Sequence, residues 1–339
     1  MKENGMKAIF LANYKGNIDY VYAEENINRV AALCDIERDK VYTEEEILAD
    51  PTPFKDVEYI FSTWSMPGGG EIKLVDYLPN LKAVFYAAGS VRYFANEYFE
   101  KGVRIFSAYA ANAIPVAEFT VGQILLASKG YFQSSVLAKA GDYKKAGEIS
   151  HARVGNYGAS IGIIGAGMIG RKVIELLKPY KLNILVYDVF MSEEQASAMG
   201  VKKASLEEIF STCHIVSNHL ANVPATVGIL KKEHFEMMMP YATFINTGRG
   251  AQVDEEGMIE VLEKREDICA LLDVTISEPP VEGSKFYTLP NVFLSPHIAG
   301  SQGWEVRRMA ELVIDEFENY LNGRPTSYEI TPEKLAKMA

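Results

Sequence analysis

From residue 159 onward the hydrophobic positions fall into short, nearly unbroken runs: "SIGIIG", "LNILVYD", "HIVSNHL", "ATFIN", "ICALLD" and "NVFLS". Between them lie segments whose apolar residues recur at helical spacing, among them "MIGRKVIELLKPY", "SLEEIFST" and "DEEGMIEVLEKR". A strand apolar at nearly every position has no face left for water, so these runs predict a parallel sheet covered by helices on both faces. The first part of the chain repeats the theme with "KAIFLA", "VEYIFSTW", "LKAVFYA" and "VRIFSA", which predicts a second, smaller α/β domain. Two long helical patterns stand at the joins. "IPVAEFTVGQILLASKGYF" leads into the second domain, and "WEVRRMAELVIDEFENYLNG" follows its last strand. In the latter, Trp304, Met309, Leu312, Val313, Phe317 and Leu321 form the expected apolar stripe, which stops at Gly323 and Pro325.

This layout assigns residues 1–118 and 301–339 to one domain and 119–300 to the other, with the chain crossing over and returning. A cleft between two such domains is the expected active site.

Composition narrows the class. Of 339 residues, 48% are hydrophobic and 23% charged, the balance of a globular protein, and no run reads as the ~18 apolar residues that span a bilayer. The early run "MKAIFLA" reads as a first strand rather than a signal peptide, so the expected compartment is the cytoplasm. Cys34, Cys213 and Cys269 are odd in number and widely spaced, which suits buried reduced thiols; no structural metal is expected. A net charge of −11 opposes binding to nucleic acid, and an anionic ligand would rely on a few local arginines.

Residues 165–170, "GAGMIG", fit the pattern G-x-G-x-x-G directly after a predicted strand, with Met168 and Ile169 opening the next helix. Gly165 permits the tight turn, Gly167 lets a pyrophosphate approach the backbone, and Gly170 lets helix and strand pack closely. The next strand ends at Asp188, whose carboxylate can accept from the ribose hydroxyls of an adenosine. That carboxylate would repel a 2′-phosphate, and Val189 and Phe190 supply no arginine to bind one, so the expected cofactor is NAD. "INTGRGAQVD", "LLDVTISEPP" and "LSPHIAG" also fall at ends of predicted strands, where open α/β sheets bind ligands, and bring Arg249, Asp273, Glu278 and His297 towards one place.

With these residues together, the sequence resembles the D-isomer-specific 2-hydroxyacid dehydrogenase family over essentially its whole length, most densely from 155 to 300. The matching residues are Asn246, Thr247, Gly248, Arg249, Gly250, Val253 and Asp254; Asp273, Val274, Glu278 and Pro279; and the run Pro296 to Gly300. The resemblance implies a Rossmann cofactor domain, doubly wound around a parallel sheet, beside a flavodoxin-like substrate domain. It implies that Arg249 grips the substrate carboxylate and that His297 exchanges a proton with the keto oxygen. Glu278 would orient and charge-stabilise the imidazole. Asp273 would bind the nicotinamide carboxamide, with Thr247 and Pro224 also against the cofactor. The implied substrates are 2-keto and D-2-hydroxy acids, as in glyoxylate and hydroxypyruvate reductases or short phosphoglycerate dehydrogenases, and the implied assembly is a homodimer.

The sequence also departs from the family. Its usual Gly-x-Gly-x-Asp-Asn loop is replaced by "YAAGSVRYF", in which Gly89 and Ser90 still suit a carboxylate and Arg92 suggests a second anionic group on the substrate. "HLANVPAT" keeps His219, Leu220, Pro224 and Thr226 but lacks the first Pro and Thr of the usual pattern. No further regulatory domain is expected after Gly323. Two other readings compete: an NAD-sensing corepressor of the same fold, and formate dehydrogenase, which carries Gln where this chain has Glu278.

Overall fold

In the computed structural model, which describes residues 5–336 and 338, the apolar runs of the first part become strands. They are β1 (Lys7–Leu11), β2 (Val41–Tyr42), β3 (Val57–Ser62), β4 (Ala83–Tyr86) and β5 (Arg104–Ser107). The sheet order is Glu329–Ile330, β5, β4, β3, β1, β2, parallel except for Glu329–Ile330, which pairs antiparallel with β5. The 2-1-3-4-5 order of its parallel strands is that of a flavodoxin-like sheet.

Register explains its core. Phe10, Phe61, Phe85 and Phe106 are direct cross-strand partners on β1, β3, β4 and β5, so their rings form one row on one face. Neighbouring centroids lie 6.0, 5.4 and 4.8 Å apart. Phe317 of the helix Arg307–Leu321 closes on this row edge-on, 5.0 Å from Phe61 and 4.9 Å from Phe85. Such edge-to-face contacts suit the ring quadrupoles. Ile9, Leu11, Ile60, Val84 and Ile105, the alternate positions, pack a second layer on the opposite face. Trp304 departs from the expected stripe: it is 80% exposed and lies 4.2 Å from the Arg307 guanidinium. Residues Gly303–Val306 form a 3-10 turn, whose three-residue period rotates Trp304 off the line of Met309, Val313 and Phe317.

The second sheet is built from β6 (Ser160–Ile164), β7 (Asn183–Tyr187), β8 (Lys202–Lys203), β9 (Ile215–Asn218), β10 (Thr243–Asn246), β11 (Cys269–Leu272) and β12 (Val292–Leu294). All its pairings are parallel, in the order β12, β11, β10, β9, β6, β7, β8. This is the 3-2-1-4-5-6 order of the dinucleotide-binding fold with one strand added, and the order reverses between β6 and β9.

The chain divides into two compact units, Met1–Asn112 with Ser301–Ala339, and Ala113–Gly300. The first division falls inside the helix Tyr109–Ala127, where the sequence pattern set it near 118. That helix also corrects the expectation about apolar length: with a mean hydropathy of 1.3 it is long and apolar enough to cross a membrane by length and composition alone. Its residues Ala117, Ile124 and Ala127 are instead buried in the core of the second unit. The cysteines are buried, and burial pushes the thiols of Cys213 and Cys269 up to about 12.

Candidate active site

The glycine loop begins where β6 ends. Gly165 has φ +92°, a left-handed conformation that a side chain disfavours, and a Cβ there would stand 2.8 Å from the His219 carbonyl oxygen. At Gly170 a Cβ would meet the Gly165 carbonyl oxygen at 2.0 Å, so only glycine lets the helix Met168–Leu177 sit this close to the turn. Nothing crowds Gly167, and the exposed Met168 and half-buried Ile169 begin the helix whose free N–H groups can face a pyrophosphate. Asp188 follows β7. Its Oδ2 accepts from the Ala166 N–H at 2.7 Å and its Oδ1 from the Phe190 N–H at 2.7 Å, which fixes the carboxylate against the glycine loop. Loop, helix start and acid thus match what the two phosphates and a ribose of a dinucleotide require.

Arg249, Asp273 and His297 follow β10, β11 and β12, three adjacent strands, so parallel pairing alone gathers them at one edge. His297 Nδ1 and Glu278 Oε2 are 2.6 Å apart. His297 has φ +53°, unusual for a residue with a side chain. Its own N–H reaches the Asp273 carbonyl oxygen at 3.0 Å. Asp273 itself is 2% exposed and binds the same loop with its carboxylate. Oδ1 accepts from Ser295 Oγ at 2.6 Å and the Ile298 N–H at 2.9 Å, and Oδ2 from the Ala299 N–H at 2.9 Å. Asp273 thus has a role the motif did not reveal: it holds the loop that carries the histidine.

The Arg249 guanidinium is largely withdrawn from water. Burial lowers its pKa from the ordinary value, and the Glu278 carboxylate opposes that shift. Its Nη1 donates to the Gly248 carbonyl oxygen at 2.7 Å. Glu255 supports the neighbouring loop by accepting from the Ile276 N–H at 2.6 Å. Thr247, 6% exposed, places Oγ1 3.2 Å from Thr120 Oγ1 and 3.5 Å from His219 Nδ1. Burial drives the His219 pKa down to about 3, so this imidazole is neutral. Pro224 starts the exposed turn Pro224–Thr226, and Thr226 Oγ1 accepts from the Val223 N–H at 3.1 Å, closing the loop where the family's first Pro and Thr are missing.

Gly89 and Ser90 lie in the first unit, past the end of β4, and Ser107 Oγ donates to the Gly89 carbonyl oxygen at 2.6 Å. Arg92 lies in the first unit too, bonded to the chain's own backbone. Its Nη2 donates to the carbonyl oxygens of Leu335, at 2.8 Å, and Met338. The guanidinium adds a donor to the Leu335 carbonyl oxygen, which ends the helix Pro332–Leu335 and also accepts from the Met338 N–H at 3.3 Å.

The pattern of the D-isomer specific 2-hydroxyacid dehydrogenase NAD binding domain matches residues 121–299. The chain belongs to the D-isomer-specific 2-hydroxyacid dehydrogenase family. Its second unit carries that family's NAD-binding domain, in agreement with the cofactor read from Asp188 and the glycine loop. The D-3-phosphoglycerate dehydrogenase of Methanocaldococcus jannaschii is 29% identical over 245 residues, which make up 70% of this chain and 46% of that one. The chain spans about half the length of the phosphoglycerate dehydrogenases it matches. Among solved structures, the D-mandelate dehydrogenase of Rhodotorula graminis is similar with a TM-score of 0.82 at 18% identity, covering 96% of this chain and 98% of that one. A glyoxylate reductase from Paecilomyes thermophila is similar with a TM-score of 0.75 at 21% identity, covering 97% and 99%. These likenesses establish a shared two-domain α/β fold.

Proposed function

We propose that the chain interconverts a 2-keto acid and its D-2-hydroxy acid, with NAD as the hydride carrier. The observation that carries this reading is the 2.6 Å pair of His297 and Glu278, beside the withdrawn Arg249 guanidinium and in the NAD-binding domain. When bound, NADH supplies a hydride to the keto carbon, and NAD accepts it back in oxidation. The glycine loop 165–170 receives the pyrophosphate, Asp188 the adenosine ribose, and Thr247, Pro224 and Asp273 border the nicotinamide end.

Arg249 binds the substrate carboxylate, where a planar fork of donors in a poorly hydrated place is at its strongest. His297 Nε2 gives its proton to the keto oxygen as the carbon gains the hydride, which completes the hydroxyl group. Glu278 accepts from Nδ1 throughout, which holds the ring in one orientation, so Nε2 is the nitrogen left to face substrate. Asp273 keeps the histidine loop in place.

The test is NADH oxidation against a panel of glyoxylate, pyruvate, hydroxypyruvate, 2-ketoisocaproate, phenylpyruvate, oxaloacetate and phosphohydroxypyruvate. Turnover of one or two members, lost in His297→Asn with NADH binding intact, supports the reading. Tight NADH binding with no turnover of any member contradicts it and favours a dinucleotide sensor.

A further inference from the structure

Three carboxamides lie buried under the loop that carries Arg249: Asn218 at the end of β9, Asn246 at the end of β10, and Gln252 three residues past the arginine. Their exposures are 0, 1 and 0%. Their hydrogen bonds form a closed set. Asn218 Nδ2 donates to Asn246 Oδ1 at 3.0 Å and to Gln252 Oε1 at 2.6 Å. Asn246 Oδ1 also accepts from the Gly248 N–H at 3.0 Å, and Asn246 Nδ2 donates to the Arg249 carbonyl oxygen at 3.2 Å. Gln252 Oε1 accepts from the Arg249 N–H at 3.2 Å. The backbone of Arg249 is thus held from both sides, its N–H by one side-chain amide and its C=O by another. The same set reaches the loop after β9, where Gln252 Nε2 donates to the Leu220 carbonyl oxygen at 2.6 Å and Asn218 Oδ1 accepts from the Leu220 N–H at 3.2 Å.

Buried polar groups of this kind are costly unless satisfied, and when satisfied they specify one geometry. The strand ends need no such network for their own pairing, because β9 and β10 are already in register from Ile215↔Thr243 to Asn218↔Asn246. What the amides fix is the backbone beyond the strands, at the residue whose side chain must meet a carboxylate. We propose that Gln252 and Asn218 are positioning residues for Arg249, setting the placement of its guanidinium for the substrate carboxylate and locking it to the 218–226 loop. This rests on the reading of Arg249 as the carboxylate-binding residue.

The experiment compares Gln252→Met with the double variant Asn218→Leu, Gln252→Leu, alongside the whole wild-type chain. Melting temperature, NADH affinity, kcat and KM are measured with the keto acid the wild type turns over, and amide exchange is followed by mass spectrometry in peptides covering 246–252. Gln252→Met removes the partner of one Asn218 N–H, of the Arg249 N–H and of the Leu220 carbonyl oxygen, and the double variant removes the partners of the Arg249 N–H and of both Leu220 backbone groups, so both should lower the melting temperature. Neither variant restores the hold on the Arg249 N–H. Both should therefore raise KM at least about tenfold, with kcat within about threefold and NADH affinity within about twofold of wild type. Exchange in 246–252 should quicken in both, and Arg249→Lys should cost markedly less kcat/KM in the double background than in the wild type. A double variant whose melting temperature falls while its KM stays at the wild-type value would overturn the proposal, because the amides would then serve stability alone. Unchanged exchange in 246–252, or an Arg249→Lys loss equal in both backgrounds, would overturn it too. A wild type that binds NADH but turns over no keto acid would remove the reading beneath the proposal, and that failure is visible before any variant is made.

Discussion

His297 adopts a backbone conformation that L-residues rarely enter, and the loop holds it there through the Asp273 carbonyl and carboxylate. Strain of this kind persists where surrounding bonds over-determine it, and it aims the imidazole at Glu278 instead of leaving it to rotate in solvent. His297→Asn should retain NADH binding and lower kcat by a factor of ~10²–10⁴, the usual contribution of a positioned acid–base group, as read by steady-state kinetics. Arg249, Glu278 and His297 were legible from three motifs, each of which ends a predicted strand. Asn218 and Gln252 were not, because a polar residue at a strand end obeys no spacing rule until its partners are placed. The partners of Arg92 were not legible for a related reason: they are backbone carbonyls of Leu335 and Met338, which a sequence shows only as positions.

At the scale of elements, the turn between β6 and its helix has no room for another atom. Gly170→Ala would drive a methyl group into the Gly165 carbonyl oxygen, and the helix must move away from the loop. NADH affinity should fall at least about tenfold in a fluorescence titration, since the helix start and the loop must together face the pyrophosphate. In the other sheet, Phe85 stands in the middle of the phenylalanine row, with Phe61, Phe106 and Phe317 around it. Phe85→Ala should cost about 3–5 kcal/mol in denaturant unfolding of the first unit, the range for a large ring removed from a packed core. The long strands and both sheet classes were readable because continuous apolar runs admit few other structures. The two-residue strands β2 and β8 and the antiparallel Glu329–Ile330 were not: two residues carry no periodicity, and their pairing is decided by neighbours distant in sequence.

For the molecule as a whole, buried histidines set a pH limit. The His219 pKa lies near 3 in the folded chain against an ordinary 6.5, and burial also lowers those of His214 and His234. The unfolded chain therefore takes up protons first, so this contribution to stability is complete above about pH 6.5 and is lost progressively as pH falls towards 3. Melting temperature should decline over that window, and His219→Gln should shrink the decline without abolishing it. Glu255 acts in the opposite sense. Burial raises its carboxyl pKa above the ordinary 4.5, so its contribution is present below that pH and is lost as pH rises through the folded value; Glu255→Gln should remove this part of the profile. Leu126, Tyr131, Val136, Tyr143 and Tyr157 leave apolar surface exposed on the second unit. We expect a second copy of the chain to cover it, and sedimentation should give about twice the 37.7 kDa chain mass. The central claim, that a hydride reaches one face of the keto carbon of a 2-keto acid while His297 protonates its oxygen, is tested most directly by the product. The reaction should be run with NADH deuterated at the transferring position, using the best substrate of the panel, and the hydroxy acid analysed by mass spectrometry and chiral chromatography. The expected result is deuterium on the hydroxyl-bearing carbon of the D enantiomer alone, formed by the wild type and at least about 10²-fold more slowly by His297→Asn; an L or racemic product, or undiminished product from that variant, would contradict it.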